Sequence, residues 1–237
     1  YSAFINNPIY FIDPECRLAV SPSTDVTKNE DGSYTVVNAH NDGDNNIYVV
    51  DENKDRTGEV IGQTVNAWDF MQTKDKTGEF TGHAKVTFRL DDMSSGDQLA
   101  KKYTNEWNFI ASLIGDSKIS IPLLAALSRN GGRYDIKGDF SKKPDGVYTA
   151  LSYNGKITTA RYVGNIIFGK NLRTINRVSY DQIFIPAKTF YHLVMPVVGL
   201  YNQHQNNGNG YNSGWPFYGE HTYSGAGIFQ GYFNNTP

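Results

Sequence analysis

The stretch SGDQLAKKYTNEWNFIASLIG, residues 95–115, decides how the chain divides. Leu99, Tyr103, Trp107, Ile110 and the pair Leu113/Ile114 recur at steps of three and four. That spacing puts them on one face of a helix. Ser95 is placed to cap its start and Gly115 its end. Upstream the period changes. Residues 33–40, 46–51, 59–70 and 84–90 read as strands separated by turn residues, and 21–32 is polar and reads as a linker. Residues 18–94 are therefore expected to form an antiparallel, β-rich subdomain.

Downstream of residue 115 the pattern is mixed. A short helix is expected over 121–129, stopped at Asn130-Gly131-Gly132. Residues 133–140 alternate like a strand. Asn154-Gly155, between 147–153 and 156–157, is a strong two-residue hairpin signal. Thr158 or Thr159 can cap a helix running to about Arg173, in which Gly164 and Gly169 suggest close backbone contacts. Residues 180–203 should be mainly helical, 203–213 a loop, and a last helix should begin at Gly225. The fold class expected is α+β: an antiparallel β subdomain, then a mixed helical and hairpin catalytic unit over 95–237.

Composition removes several classes. The strongest apolar run, 184–200, is interrupted by Pro186, Lys188, His192 and Pro196. It falls short of the ~20 residues a membrane span needs and reads as a kinked, buried helix. The first residues carry neither the basic nor the apolar region of a secretory signal, so export would depend on something upstream or on another machine. Cys16 is the lone cysteine, which excludes an internal disulfide and any multi-cysteine metal site. The five histidines, His40, His83, His192, His204 and His221, show no metal-ligand spacing, and no cofactor motif is present. Sixteen tyrosines within 14% aromatic residues favour β structure and aromatic-lined surfaces.

The net charge of −2 conceals a polarity. Residues 1–132 sum to −7 and 178–237 to −1, whereas 133–177 carry nine basic and three acidic residues, or +6. A basic segment of this kind suits an anionic polymer, either peptidoglycan or nucleic acid, or is a solvated face.

The opening segment YSAFINNPIYFIDPE, residues 1–15, resembles the conserved end of the Rhs repeat-associated core. That family has a proline, four residues, Asp-Pro, any residue and glycine. Here Pro8 and Asp13-Pro14-Glu15 match, and Cys16 replaces the glycine. The resemblance covers residues 1–17. It implies that the rest of the chain is the variable C-terminal toxin of an Rhs effector, encapsulated by the core and cut from it after this motif. Asp13 would then be a cleavage aspartate. Residues 134–137 (YDIK), 159–166 (TARYVGNI) and 218–220 (YGE) are similar to segments of the bacterial polymorphic toxin type 44 family, with Tyr162 where an acid is expected. These resemblances imply a toxin secreted or delivered into a target cell by a secretion system, and an immunity protein as partner.

The candidate catalytic residues are Glu220 and Asp135. Glu220 is the only carboxylate after Asp181 and stands among Trp215, Phe217, Tyr218, His221 and Tyr223. Aromatic surroundings desolvate a carboxyl and suit it to donate a proton. Asp135 alternates with Lys137 on the expected strand, so both would share a face, with Lys137 holding Asp135 ionised. Glu106, on the helix over 95–115, is the other possible partner; a helix glutamate followed by a hairpin is the element order of lysozyme-like folds. Arg161 and Asn165, one helical turn apart, could clamp a carboxylate, phosphate or acetamido group. Trp215, Tyr218 and His221 complete the substrate-binding candidates. The reading favoured is a muramidase-like glycoside hydrolase on peptidoglycan with two carboxyls and no metal or cofactor. The alternatives are a nuclease using 133–177 as a phosphate footprint, with His221 or Glu220 as base, and a non-enzymatic adhesion module.

Overall fold

The computed structural model describes residues 23–40, 42, 44–66, 69–73, 80–129, 131–178, 186–205 and 222–233. Its first strand, β1 (Thr24–Lys28), falls in the stretch that reads as a linker. Val26 is its only apolar residue, yet Thr24 and Asp25 are buried with it. Asp25 is tolerated there because Arg56 Nε donates to it at 2.8 Å and His40 meets its other oxygen. Buried polar groups persist when partnered, and such a strand carries no apolar alternation to reveal it.

The strands that follow are β2 (Tyr34–Ala39), β3 (Asn46–Val50), β4 (Arg56–Gln63), β5 (Met71–Thr73), β6 (Phe80–His83), β7 (Thr87–Phe88) and β8 (Ser94–Ser95). One sheet has the order β4-β3-β1-β2-β7. Its pairings are antiparallel except for the parallel pair β1–β3. β5 and β6 form a separate antiparallel hairpin.

α1 (Gly96–Ile114) starts and stops where its caps place it. Ser95 Oγ accepts from the Gln98 N–H at 3.2 Å, and Gly115, at φ 64°, bonds back to the Ala111 carbonyl at 3.0 Å. Tyr103, Trp107 and Ala111 are buried, but Leu113, which the spacing assigned to the same face, is 72% exposed. α2 (Ser117–Ser128) begins four residues earlier than expected, because Asp116 accepts from the Lys118 N–H at 2.8 Å and caps it.

Residues 133–140 are not a strand. Asp135 caps a short helix, α3 (Ile136–Ser141), in which Ile136 and Phe140 are buried one turn apart. Ile136 and Phe140, four positions apart, fit a two-residue period as well as a helical turn, so the alternation alone does not separate strand from helix. A 3-10 turn, Gly146–Tyr148, leads into β9 (Ala150–Tyr153) and β10 (Lys156–Thr159). Asn154 and Gly155 join these two strands at φ 50° and 71°, the positive angles a type I′ turn requires.

α4 (Ala160–Val178) is capped by Thr159, whose hydroxyl accepts from the Tyr162 N–H at 3.3 Å, and runs five residues beyond the expected end. α5 (Ala187–Gln205) and α6 (Thr222–Phe233) complete the chain, α6 starting three residues before Gly225. Residues 180–185 of the expected helix and 206–213 of the expected loop lie outside the described residues.

Most of α4 is buried, and it is the axis of the helical layer. Trp107 Nε1 of α1 donates to the Asn171 carbonyl at 2.9 Å, and Thr174 donates to Asn108 at 2.6 Å. α3 meets α4 at Gly164, where an added Cβ would touch Lys137 Cγ at 3.6 Å. α6 meets it through Asn165, Ile166 and Gly169. The two halves of the chain share structure: β8 pairs in parallel with β9, Thr64 bridges to Ile157, and Ala150 and Ile157 join Val26, Ile47 and Phe70 in the sheet's apolar core. The fold is α+β, and residue 95 marks a change of secondary structure rather than a gap in packing.

Candidate functional site

Tyr103, Glu106 and Trp107 occupy one turn of α1, and the loop before α3 brings Arg133 and Tyr134 against them. The Tyr134 ring stands edge-on to Tyr103 and to Trp107, with centroids 5.9 and 6.0 Å away. This geometry suits the ring quadrupoles and holds the loop on the helix. Arg133 Nε donates to a Glu106 carboxylate oxygen. From α3, Asp139 Oδ2 accepts the Tyr103 hydroxyl at 3.2 Å.

Two carboxyls thus act on one phenol, Asp139 by hydrogen bond and Glu106 through its charge. Burial, and then the Asp139 and Glu106 carboxylates, raise the Tyr103 pKa above its ordinary value. Burial, and then Glu106, push the Tyr134 phenol up to about 12. A negative charge beside a phenol disfavours loss of its proton, so both hydroxyls stay donors at neutral pH. The rings are buried, but Glu106 keeps 25% of its side chain exposed and Asp139 is exposed. A polar ligand can therefore reach both carboxyls, with aromatic groups behind them.

Asp135 is placed differently from the expectation. Its Oδ1 accepts from the Gly138 N–H at 3.0 Å and its Oδ2 from the Gly131 N–H at 2.8 Å. Both oxygens are engaged by backbone, the duty of a helix cap. Lys137 lies along α4 at Gly164 instead of sharing a strand face with Asp135. Arg161 stacks over the Tyr223 ring at 5.0 Å, and Asn165 is buried between α4 and α6. Trp215, Tyr218, Glu220 and His221 lie outside the described residues.

The residue missed by the sequence reading is Asp139. It follows Asp135 by four positions, one turn further along a helix, and only the strand assignment concealed it. Tyr103 was visible solely as a core residue of α1.

The basic segment does not form one open stripe. Arg161, Lys170 and Arg173 are half-buried on α4, over the rings of Tyr223, Tyr153 and Tyr232 at 5.0, 6.0 and 5.4 Å. Arg133 is engaged by Glu106. Lys142, Lys143 and Arg177 are exposed. Among the described residues, no group of three or more His, Cys, Asp or Glu side chains is placed to hold a metal ion, and no helix is long and apolar enough to cross a membrane.

No family model, curated protein or solved structure matches the chain.

Proposed function

We propose that this chain is the toxin region of an Rhs effector and acts as a glycoside hydrolase on peptidoglycan, with Glu106 and Asp139 as its carboxyl pair. The observation that carries the reading is that both groups act on the Tyr103 phenol, Asp139 by accepting its hydroxyl and Glu106 through its charge, while both stay accessible in front of buried aromatic rings. Glycosidic cleavage uses two carboxyls, one donating a proton to the leaving oxygen and one stabilising or attacking the sugar cation. Glu106, fixed by Arg133, takes the second role. Asp139, which meets a phenol able to donate or accept, takes the first. The Tyr134 phenol, on which the Glu106 charge acts, belongs to a ring packed edge-on against Trp107.

A nucleic acid substrate fits less well. Three cations of the basic segment face tyrosine rings within the fold, which leaves a thinner phosphate footprint than the charge count promises. Under the toxin reading the protein is delivered by a secretion system, and an immunity protein neutralises it in the producing cell.

The test is a parallel assay of the full chain on purified peptidoglycan, tRNA and plasmid DNA, with Glu106→Gln, Asp139→Asn and Glu220→Gln. Release of sugar reducing ends by the wild type, lowered on the order of 10²–10⁴-fold in Glu106→Gln and Asp139→Asn, supports the proposal. Loss in Glu220→Gln with activity kept in Asp139→Asn moves the proton donor to Glu220. Cleavage of RNA or DNA with no action on peptidoglycan overturns the reading.

A further inference from the structure

The face of α1 beside the carboxyl pair carries a stripe that the core does not use. Lys102, Glu106, Phe109 and Leu113 follow one another at steps of four, three and four. At 3.6 residues per turn they fall within about 60° of arc and extend over about 16 Å of helix. Tyr103 and Trp107 lie to one side of this arc and are buried, whereas Phe109 is 66% and Leu113 72% exposed. Two large apolar side chains one turn apart are thus left in water on the face that presents Glu106. An apolar patch rimmed by polar groups marks a binding surface.

The cation at the head of the stripe is unengaged as well. Lys102 is exposed, and its Nζ stands 5.0 Å from the centroid of the Tyr103 ring. Glu106 lies one turn further on, the spacing of a helical ion pair, but Arg133 already holds that carboxylate. Asp139 accepts the Tyr103 hydroxyl instead. Among the described residues Lys102 has no ion pair. Its charge is free to meet a ligand lying along α1.

We propose that this stripe is the substrate track of the site and selects a glycan that carries carboxylates: Lys102 takes a carboxylate of the strand, and Phe109 and Leu113 take the apolar faces of sugar rings on the other side of Glu106. The inference rests on the assignment of Glu106 and Asp139 as the carboxyl pair. A pyranose has C–H groups on its faces and hydroxyls around its rim, so it stacks on an exposed aromatic ring and keeps its hydroxyls in water. A carboxylate substituent further along the same strand meets the ammonium group. Peptidoglycan has both features, and chitin, an uncharged strand of acetylated sugars, has only the first. The position of Glu106 between Lys102 and Phe109 favours a substrate over a protein partner, because a strand held at both ends passes a linkage across the carboxyl.

Binding is measured on the full chain carrying Asp139→Asn, which keeps the Glu106–Arg133 pair, with soluble peptidoglycan fragments and with chitin oligosaccharides. Adding Lys102→Met should weaken fragment binding about fivefold, the upper range for an exposed charge pair. It should leave chitin binding unchanged and lose its effect at about 1 M salt. Adding Phe109→Ala should weaken both ligands by about fivefold. Lys101→Met, the same charge about 100° round the helix, is the control and should alter neither. Equal losses in Lys101→Met and Lys102→Met, or unchanged binding of both glycans in Lys102→Met and Phe109→Ala, overturn the track and leave the stripe to a protein partner. Release of reducing ends separates this result from the carboxyl assignment. Cleavage that falls in Glu106→Gln but keeps its wild-type KM in Lys102→Met and Phe109→Ala overturns the track and leaves the pair standing. The expected binding pattern without any cleavage by the wild type supports the stripe as a glycan face and removes the pair.

Discussion

Gly169 of α4 lies so close to Ile228 of α6 that a Cβ at position 169 would sit 2.1 Å from the Ile228 carbonyl oxygen. The contact is reciprocal. A Cβ on Gly231 would lie 2.0 Å from the Ile166 carbonyl. Backbone cannot yield as a side chain can, so Gly169→Ala must separate two buried helices. Overpacking a core usually costs about 1–3 kcal/mol, and this change should lie at or above the top of that range. Gly131→Ala, at φ 74° with open space around it, is the control and should cost only about 1 kcal/mol. Urea midpoints for the two variants check this; a milder effect at 169 than at 131 would falsify the close-packing account.

Asp135 and Asp139 should separate stability from activity. Asp135→Ala removes the cap of α3 and should cost roughly 0.5–2 kcal/mol, with turnover per folded molecule unchanged. Asp139→Asn should do the reverse, leaving the stability within about 0.5 kcal/mol, as for an exposed position, and lowering cleavage on the order of 10²–10⁴-fold. Equal losses of turnover in both would mean that α3 matters only as a scaffold.

These two residues also show what was legible. The caps Ser95, Gly115 and Thr159 and the Asn154-Gly155 turn are local chemistry, and each appears where the sequence puts it. β1 was hidden because Asp25 is buried through Arg56 and His40, partners 31 and 15 residues away. α3 was hidden because Ile136 and Phe140 satisfy a two-residue period as well as a helical one. The pairing of Glu106 with Arg133 and of Asp139 with Tyr103 spans 27 and 36 residues, distances over which no local pattern speaks.

Trp107→Phe tests the junction of α1 and α4. The change keeps an aromatic body but deletes the indole N–H that satisfies the buried Asn171 carbonyl at 2.9 Å. The carbonyl keeps its helical bond within α4, so the loss is that of one hydrogen bond, about 0.5–1.5 kcal/mol. Because Trp107 also backs Tyr134, turnover should fall along with the unfolding midpoint. A midpoint that does not move would show that the indole bond adds nothing to the junction.

Lys142, Lys143 and Lys156 are the remaining cations to question, the first two exposed and the third partly so. Converting all three to glutamate should weaken sedimentation of the protein with cell walls at low salt and flatten the salt dependence, since exposed charges act over about 10 Å at 0.1 M ionic strength. Turnover at saturating substrate should be unaffected. Unaltered sedimentation would assign them to solvation alone.

The strand pair β8–β9, with Ala150 and Ile157 set into the core of the first sheet, bears on inheritance. If the chain is an exchangeable toxin cassette, recombination cannot trade its helical half alone. A junction at residue 95 would leave a sheet without its inserted hairpin and a hairpin without its neighbour. The unit that can pass between genes and still fold begins before β1, so the natural seam is the end of the Rhs-like segment, and the β-rich half travels with the toxin as part of it.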